Sequence, residues 1–331
     1  MPPVTAVDVH AHYLGTDANF PGAPRLDAEH GRILRGDEVF RRVQPMLWDV
    51  PLRLAEMDRA GISHQVVSPV PVTMEHACAP GTDSAYARVM NDSIAAACAS
   101  SGGRLLGLGC LPLHDVDAAV AELARCRRIG LRGVEIGTRV SDLDLDAPAL
   151  NDFWAACDAT GSAVFVHPVE GGRGVLRRAG APYDLGLGML TDTAIAAAAL
   201  VFGGVLDRYE RLRVGLAHGC GSFPWAYPRL RLAAGLTSDR DPADSDRHVR
   251  RLYADTLVFD DEHLRLLVHR FGAQRLLLGS DAPFFPGQMT RSMRSAEALP
   301  EPGLLARNAL DFLGLADVIV NEGEHIHDPD Q

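Results

Sequence analysis

The chain has 331 residues, of which 47% are hydrophobic, and a formal net charge of −11. This balance is typical of a globular protein with enough apolar material for a large core. The negative charge argues against a nucleic-acid-binding surface, which needs a basic face. No run of about eighteen apolar residues is present, so we expect no membrane-spanning helix.

The basic residues and the cysteines restrict the chemistry and the compartment. All 32 basic residues are arginine, because the sequence contains no lysine. This excludes Schiff-base chemistry, a P-loop lysine and a carboxylated lysine between two metal ions. The six cysteines form no CxxC pair, which is typical of small core residues in a reduced protein. The N-terminal residues MPPVTAVDVH do not resemble a signal peptide, so we expect a cytoplasmic location.

Short β-rich apolar runs alternate with segments of helical periodicity along the whole chain. The eight runs are AVDVHAH (6–12), SHQVVSPV (63–70), RLLGLGCLP (104–112), LRGVEIGT (131–138), SAVFVHP (162–168), LRVGLAHG (212–219), LYADTLV (252–258) and RLLLGSDAP (275–283). Eight strand–helix units predict an α/β fold of the (β/α)8 TIM-barrel type, formed as one domain by residues 1–331. A doubly wound open sheet is less favoured, because HAHYLG follows the first strand where a G-x-G-x-x-G motif would be expected.

Four segments between the runs are informative. In residues 115–130 the apolar positions line one helical face, and residues 260–272 begin with acids and end with basic residues, as a helix dipole prefers. Two other segments are longer than normal connections. Residues 13–50 are predicted to form a small cap inserted after the first strand, and residues 226–250, which contain DRDPADSDRH, are predicted to form a solvated, mobile loop.

Polar side chains end four of the predicted strands. His10 and His12 end the first, His167 the fifth, His218 the sixth and Asp281 the eighth. Residues i and i+2 of a strand point to the same face, so His10 and His12 project side by side. Each residue alone has a structural alternative, such as a histidine that hydrogen-bonds a loop or an aspartate that caps a turn. Because the carboxyl ends of barrel strands meet at one mouth, a shared site is favoured.

We predict that His10, His12, His167 and Asp281 bind one divalent metal ion. Neutral imidazole and carboxylate ligands suit Zn²⁺ and leave one coordination position open, and Mn, Fe or Co could replace it. His218 is interpreted as an acid–base residue and not as a fifth ligand, because a free imidazole near the metal can take up and return a proton. The alternative role for His218 is a structural hydrogen bond to a loop.

The motifs HAH, FVHP, AHGCGSFPW and LLLGSDAPF, in this order and at these intervals, resemble the amidohydrolase superfamily. Within it, the chain is similar to the branch of 2-amino-3-carboxymuconate-6-semialdehyde decarboxylase, from VDVHAH to NALDFLGL (308–315). The resemblance implies the same four metal ligands and His218 as the catalytic base. It also implies a small-molecule carboxylic acid as substrate and a homodimeric assembly.

The resemblance further implies substrate contacts. Arg41, in FRRV, and Arg229 would hold substrate carboxylates, and Tyr183 corresponds loosely to an aromatic contact that is usually Trp. Arg240 is the nearest match to an arginine that the family donates across its dimer interface. The sequence leaves the role of Trp48 open, because its ring could line the pocket or fix the cap to the barrel.

Arg41 also has a structural alternative, since its side chain could pair with Asp37 or Glu38 of the cap. A guanidinium that faces the substrate would instead form a planar, two-pronged clamp on a carboxylate. Both roles stay open on the sequence alone.

The resulting hypothesis is a metal-dependent, non-oxidative decarboxylase that releases CO2 from an unsaturated or aromatic carboxylic acid. With no lysine and no sign of a pyridoxal or thiamine site, a metal is the remaining electron sink for the breaking C–C bond. His218 and Asp281 would be the catalytic residues. The main alternative is a metal-dependent hydrolase of a lactone or amide that uses the same site, and another is a barrel that binds a small acid or metal without turnover.

Overall fold

The computed structural model describes residues 3–169, 176–237, 241–299, 301 and 303–316. The strands of these ranges are β1 (Val7–Tyr13), β2 (Pro24–Asp27), β3 (Arg32–Arg35), β4 (Glu38–Arg42), β5 (His64–Pro69), β6 (Leu105–Gly109), β7 (Gly133–Gly137), β8 (Arg139–Val140), β9 (Leu143–Asp144), β10 (Ala163–His167), β11 (Arg213–Leu216), β12 (Tyr253–Asp255) and β13 (Leu276–Ala282). The α-helices are α1 (Val50–Ala60), α2 (Pro71–Ala77), α3 (Ser84–Ser100), α4 (Val116–Arg128), α5 (Asn151–Thr160), α6 (Met189–Phe202), α7 (Val205–Arg208), α8 (Phe223–Thr237), α9 (Pro242–Val249), α10 (Asp261–Phe271), α11 (Gln288–Ala296) and α12 (Leu304–Phe312).

Eight parallel strands close into a barrel in the order β1–β13–β12–β11–β10–β7–β6–β5. Each overlaps one of the eight apolar runs, so the predicted TIM barrel is confirmed. The strands are buried along nearly their whole length, because helices cover the outside and side chains fill the inside. Gly133 allows a close approach here, since a Cβ on it would lie 2.0 Å from the carbonyl oxygen of Ala163, its partner in β10.

Helices α4 and α10 confirm the two helical patterns. Asp115 accepts a hydrogen bond from the Ala118 N–H at 3.0 Å and so begins α4, which buries Leu123 on its inner face. Asp260 accepts from the His263 N–H at 3.0 Å and begins α10. Local capping and apolar periodicity therefore determine these two helices.

The predicted cap region contains a three-stranded antiparallel sheet, β2–β3–β4. Ile33 of β3 is fully buried in one hydrophobic cluster with Leu14, which follows β1, and with Leu47. Ile33 pairs with Arg41 of β4, so the same sheet that packs onto the barrel also carries Arg41.

The mobile loop predicted for residues 226–250 is wrong, because this region contains most of α8 and all of α9. Asp241 accepts a hydrogen bond from the Ala243 N–H at 2.8 Å and begins α9. Asp246 of α9 accepts from the hydroxyl of Tyr227 at 2.6 Å and from Nη2 of Arg231 at 2.9 Å. The charges that suggested a solvated loop therefore cap α9 and join it to α8.

The segment Asp184–Phe202 has 19 residues, a mean hydropathy of 1.8, and the length and composition of a membrane span. The sequence has no continuous apolar run there, because Thr191, Asp192 and Thr193 interrupt it. In the fold, α6 contacts β10 and α8 and buries Leu200 and Val201 in the largest hydrophobic cluster. Packing in the helical ring of the barrel accounts for part of its apolar composition, since 39% of the most apolar stretch is buried.

Candidate metal centre

The polar residues at the strand ends converge at one mouth of the barrel. His10 and His12 lie on β1, His167 ends β10, Asp281 lies in β13 and His218 follows β11 by two residues. The ring centroids are 5.3 Å apart for His10 and His12, 5.0 Å for His10 and His167, and 4.9 Å for His167 and His218. The parallel register of the barrel therefore brings together residues that are far apart in sequence.

The carboxylate of Asp281 lies at the centre of this cluster. Its Oδ1 is 3.1 Å from Nε2 of His12 and 3.6 Å from Nε2 of His10, and its Oδ2 is 3.8 Å from Nε2 of His218. One ligand-type atom from each of His10, His167, His218 and Asp281 lies within 4.8 Å of the others. The group could therefore hold a metal ion, and His12 adjoins it through its short distance to Asp281.

Hydrogen bonds fix the tautomers of three histidines. Nδ1 of His10 bonds Oδ2 of Asp255 at 2.6 Å, Nδ1 of His12 bonds the Pro69 carbonyl at 2.9 Å, and Nδ1 of His167 bonds the Pro168 carbonyl at 2.6 Å. Each Nδ1 therefore carries the proton, which leaves the lone pair on Nε2.

The three Nε2 atoms of His10, His12 and His167, and Oδ1 of Asp281, are buried without a hydrogen-bond partner. Buried polar atoms are normally satisfied, so four such atoms facing one another require an explanation. A divalent cation with imidazole and carboxylate ligands fits this donor set.

His218 differs from the other three histidines in the hydrogen bonding of its ring nitrogens. Its Nδ1 is buried without a hydrogen-bond partner among the described residues, so no acceptor fixes its tautomer. Its Nε2 lies 3.8 Å from Oδ2 of Asp281. An imidazole that can carry its proton on either nitrogen suits proton transfer. The geometry therefore favours acid–base chemistry for His218, although distance alone places it with the ligands.

The backbone is strained at this mouth. His218 has a φ of 55° and Asp281 a φ of 54°, which side chains other than glycine rarely adopt. The turn after His218 also needs glycine, since a Cβ on Gly221 would lie 2.2 Å from the carbonyl oxygen of Leu190. Strain of this kind concentrates at functional sites, where the surrounding structure holds it in place.

Burial and the charges in the cluster set the protonation states of the predicted ligands. Burial disfavours the charged form of Asp281, but the nearby imidazoles of His12 and His218 outweigh it and hold the pKa of Asp281 well below its usual range. Burial, followed by the neighbouring imidazoles, holds the pKa of His167 well below its usual value. Burial also opposes charge on His10, yet Asp255 and Asp281 raise its pKa to about 9. Asp281 is therefore ionised and His167 neutral, whereas the metal-free His10 carries a second proton at neutral pH, which a bound cation would displace from Nε2.

Asp255, at the end of β12, is a residue that the sequence analysis missed. Beyond the bond to His10, its carboxylate accepts hydrogen bonds from the backbone N–H groups of His218 at 3.0 Å, Gly219 at 2.8 Å and Leu257 at 3.1 Å. One buried carboxylate thus orients a predicted metal ligand and also holds the strained turn that carries His218. The available signal was a single acid in the middle of the apolar run LYADTLV.

We expect Asp255→Asn to lower metal affinity or turnover by about 10–100-fold, the usual effect of losing a partner behind a ligand. The amide would place a nitrogen where the carboxylate now accepts two or more hydrogen bonds. Chelator competition measures metal affinity and steady-state kinetics measures turnover. Asp260→Asn is the matched control, because Asp260 caps α10 at the surface. Wild-type affinity and turnover in Asp255→Asn would remove the proposed orienting role.

Glu135 of β7 was also missed as a residue near the site. It is 1% exposed, neither carboxylate oxygen has a hydrogen-bond partner among the described residues, and Oε1 lies 3.8 Å from Nδ1 of His12. Its signal was a single acid inside the apolar run LRGVEIGT. Burial raises the pKa of Glu135 and so disfavours its charged form, and the imidazole of His12 opposes that shift.

Arg41 lies at the metal cavity. Its guanidinium carbon is 4.1 Å from the ring centroid of Phe284, and it lines one cavity with His12 and Asp281. Asp37, one of the alternative partners, lies 3.8 Å from Arg25. Burial lowers the pKa of Arg41 and the charge of Asp281 opposes that shift. The structure therefore favours the substrate-facing role over the cap ion pair.

The other predicted substrate contacts do not meet at this cavity. The hydroxyl of Tyr183 accepts a hydrogen bond from Nη1 of Arg178 at 2.5 Å and lines a separate depression. Arg229 is exposed on α8 and is not among the residues that line the cavity, and Trp48 packs in the hydrophobic cluster beneath the cap. Arg240 lies outside the described residues. A motif match locates these residues along the chain but not the face of the helix or turn on which each one lies.

Comparison with known proteins places this site in a family. Residues 7–315 match the amidohydrolase family. The chain is 31% identical to 2-amino-3-carboxymuconate-6-semialdehyde decarboxylase of Dictyostelium discoideum, over 93% of this chain and 91% of that protein. It is 28% identical to gamma-resorcylate decarboxylase of Rhizobium sp., over 75% of this chain and 81% of that protein.

A solved structure has the same fold. The dihydroxybenzoic acid decarboxylase of Polaromonas sp., with bound manganese and the inhibitor 2-nitroresorcinol, superposes with a TM-score of 0.72 at 20% identity and covers 98% of this chain and 99% of its own. The family match over nearly the whole sequence agrees with the closed barrel and the histidine–aspartate cluster at its mouth. The chain belongs to the amidohydrolase family.

Proposed function

We propose that this protein is a metal-dependent, non-oxidative decarboxylase that acts on an unsaturated or aromatic carboxylic acid. The observation that carries the proposal is the buried set of unpartnered Nε2 and Oδ1 atoms, which faces a cavity that also contains His218 and Arg41. Relatives that match most of the chain are named as decarboxylases, which supports the same reaction class.

Three histidines and one aspartate would hold the ion. His10, His12 and His167 present Nε2 lone pairs, and Asp281 presents an ionised carboxylate. A bound divalent cation would supply Lewis-acid polarisation of a substrate oxygen and so would stabilise the electron pair that the breaking C–C bond releases. We propose zinc as the native ion on the strength of this donor set, and metal analysis of the purified protein distinguishes zinc from manganese.

Arg41 and His218 have separate roles in the proposed reaction, substrate binding and proton transfer. Arg41 binds and orients a substrate carboxylate through its planar guanidinium. His218 delivers a proton to the carbon that bears the carboxylate, so that carbon becomes tetrahedral. The C–C bond then breaks, its electron pair restores the unsaturated system, and CO2 leaves. One proton enters and one CO2 departs, with no change in oxidation state that would need a redox cofactor.

Arg41→Ala is expected to raise KM for the acid substrate by about 10–100-fold, because a hydrogen bond to a charged group contributes about 1.5–3 kcal/mol. Arg42→Ala is the matched control, since Arg42 is the next residue of β4, is exposed and does not line the cavity. Steady-state kinetics on both variants measures KM for the acid substrate. An unchanged KM in Arg41→Ala would return Arg41 to a purely structural role.

The product distinguishes the proposed reaction from hydrolysis. We expect the metal-loaded protein to release CO2 from aminocarboxymuconate semialdehyde or from simple aromatic acids, in step with the decarboxylated product. Lactones and amides serve as the contrasting panel. Ring-opened or cleaved acid from that panel, without CO2 from any acid, would overturn the proposal in favour of a hydrolase.

We further propose a homodimer in the cytoplasm. An apolar stripe on α8, formed by Trp225, Leu232 and Leu236 with exposures of 83%, 65% and 78%, supports a second copy as its partner. The six cysteines are unpaired, which is compatible with a reducing compartment. Light scattering should give twice the chain mass, and Trp225→Asp should shift it toward the monomer. A wild-type protein that is monomeric at micromolar concentration would contradict the dimer.

A further inference from the structure

The cavity above the candidate metal centre has mainly apolar walls among the described residues. Its volume is about 480 Å³, and a cavity of about 150 Å³ already suffices for benzene. Apart from the imidazole and carboxylate cluster, the walls are mainly aromatic and aliphatic and include Phe40, Leu185, Met189, Leu190, Phe284 and Phe285. The cavity therefore has room for a ring with substituents.

Charged side chains are few among the described residues that line this cavity. Among the described residues that line it, Arg41 is the one guanidinium, and it lies over the ring of Phe284. His263 lines the cavity as well, but its Nδ1 is 2.8 Å from Oδ1 of Asp260. Arg229, the second arginine predicted to hold a substrate carboxylate, is exposed on α8 and is not among the residues that line this cavity.

The apolar walls and the small number of charged side chains determine which substituents the cavity can bind beyond the reacting carboxylate of the substrate. A carboxylate or hydroxyl that points at phenyl and alkyl walls loses its hydration without gaining a partner, which is costly. An alkyl or aryl group in the same place gains from leaving water. The guanidinium carbon of Arg41 lies over the ring of Phe284, 4.1 Å from its centroid, and an aromatic ring of the substrate could pack beside this pair.

We infer that the substrate is an acid with an apolar body, an aromatic carboxylic acid that carries alkyl or aryl groups on the part of the ring away from the reacting carboxylate. The inference rests on the proposed decarboxylase function and specifies its substrate class. The carboxylate end lies against Arg41 and the metal ligands, and the apolar substituents contact the walls formed by the cap, the turn Asp184–Gly188 and the segment that follows β13.

A homologous series of acids tests this directly. The probes are 2-hydroxybenzoate, its 4-methyl, 4-ethyl, 4-propyl and 4-butyl derivatives, and the 4-carboxy analogue. Both CO2 release and the dissociation constant are measured on the metal-loaded enzyme. We expect kcat/KM to rise, and the dissociation constant to fall, by about fourfold for each added methylene until the cavity is full. A flat or falling series, or a preference for the 4-carboxy analogue, would overturn the inference.

Two leucines of one turn provide matched variants. Leu185 and Leu187 are 51% and 50% exposed, but only Leu185 lines the metal cavity, whereas Leu187 lines the separate depression beside Tyr183. Leu185→Ser should flatten the dependence on alkyl length, and Leu187→Ser should preserve it. An equal effect of the two substitutions would also overturn the inference, because the gain would then not arise from the cavity wall.

The two measurements separate this inference from the reaction itself. Dissociation constants that fall with alkyl length, without CO2 from any probe, would support the apolar substrate and contradict the decarboxylase. CO2 release that does not vary with alkyl length would support the decarboxylase and contradict the apolar substrate.

Discussion

Asp281→Ala is expected to lose the metal ion and, with it, nearly all turnover. Asp281 supplies the one carboxylate among the four predicted ligands, and its Oδ1 is buried 3.1 Å from Nε2 of His12 and 3.6 Å from Nε2 of His10. Without its charge, the remaining imidazoles would have to bind a dication in a buried site with less compensation. Metal affinity and turnover should fall by more than about 10–100-fold, which is the usual effect of removing a residue that only hydrogen-bonds a ligand.

Elemental analysis after dialysis against a weak chelator measures this effect, and circular dichroism checks that the barrel is intact. His10→Ala provides a second variant, because its Nε2 faces the same centre from a different strand. Both should be folded, metal-depleted and inactive. A full metal content in either folded variant would remove that residue from the ligand set.

His218→Ala is expected to retain the metal and lose turnover by about 10²–10⁴-fold, the usual contribution of a positioned acid–base group. The reason is the difference among the histidines. His10, His12 and His167 each have Nδ1 held by an acceptor, whereas Nδ1 of His218 has none among the described residues. Removing His218 therefore takes away the proton donor without removing a ligand.

The control for this variant is His263→Ala. His263 lines the same cavity, but its side chain is 67% exposed and paired with Asp260 on α10. Metal content and kcat are measured for both. If His218→Ala lost its metal, His218 would be a ligand, and if kcat were unchanged, the residue would have no part in proton transfer.

The sequence was sufficient to predict both the barrel and the cluster of polar residues at its mouth, because both depend on the eight strands. Strands buried on both faces read as apolar runs, and a parallel barrel places all their carboxyl ends together. His167 at the end of FVHP and Asp281 in GSDAP could therefore be expected beside His10 and His12. The structure adds the tautomers, which depend on acceptors such as Pro69 and Asp255 that belong to other strands.

Asp255 shows why other site residues could not be read from the sequence. Its β12 strand is only three residues long, and its partner His10 lies 245 positions earlier in the chain. An acid at a strand end has many uses, and its role becomes specific only when the closed barrel places β11, β12 and β1 near one another. The same limit applies to Glu135, which faces the imidazole cluster from inside an otherwise apolar strand.

The loop predicted for residues 226–250 was wrong because most of its described charged residues lie on helices. Residues 226–250 carry many charges, which usually indicates a solvated loop, yet Asp241 caps α9 and Asp246 joins α9 to α8. Arg229 shares that region, and its distance from the cavity depends on which face of α8 it occupies, a property that a motif match does not supply.

Anomalous diffraction from crystals of the purified protein, collected on both sides of the metal absorption edge, tests the central claim most directly. We expect one anomalous peak at the barrel mouth, bounded by Nε2 of His10, His12 and His167 and by the carboxylate of Asp281, with His218 beside it and not bonded to it. A metal-supplemented crystal with no peak there, or with its peak away from these four side chains, would contradict the account.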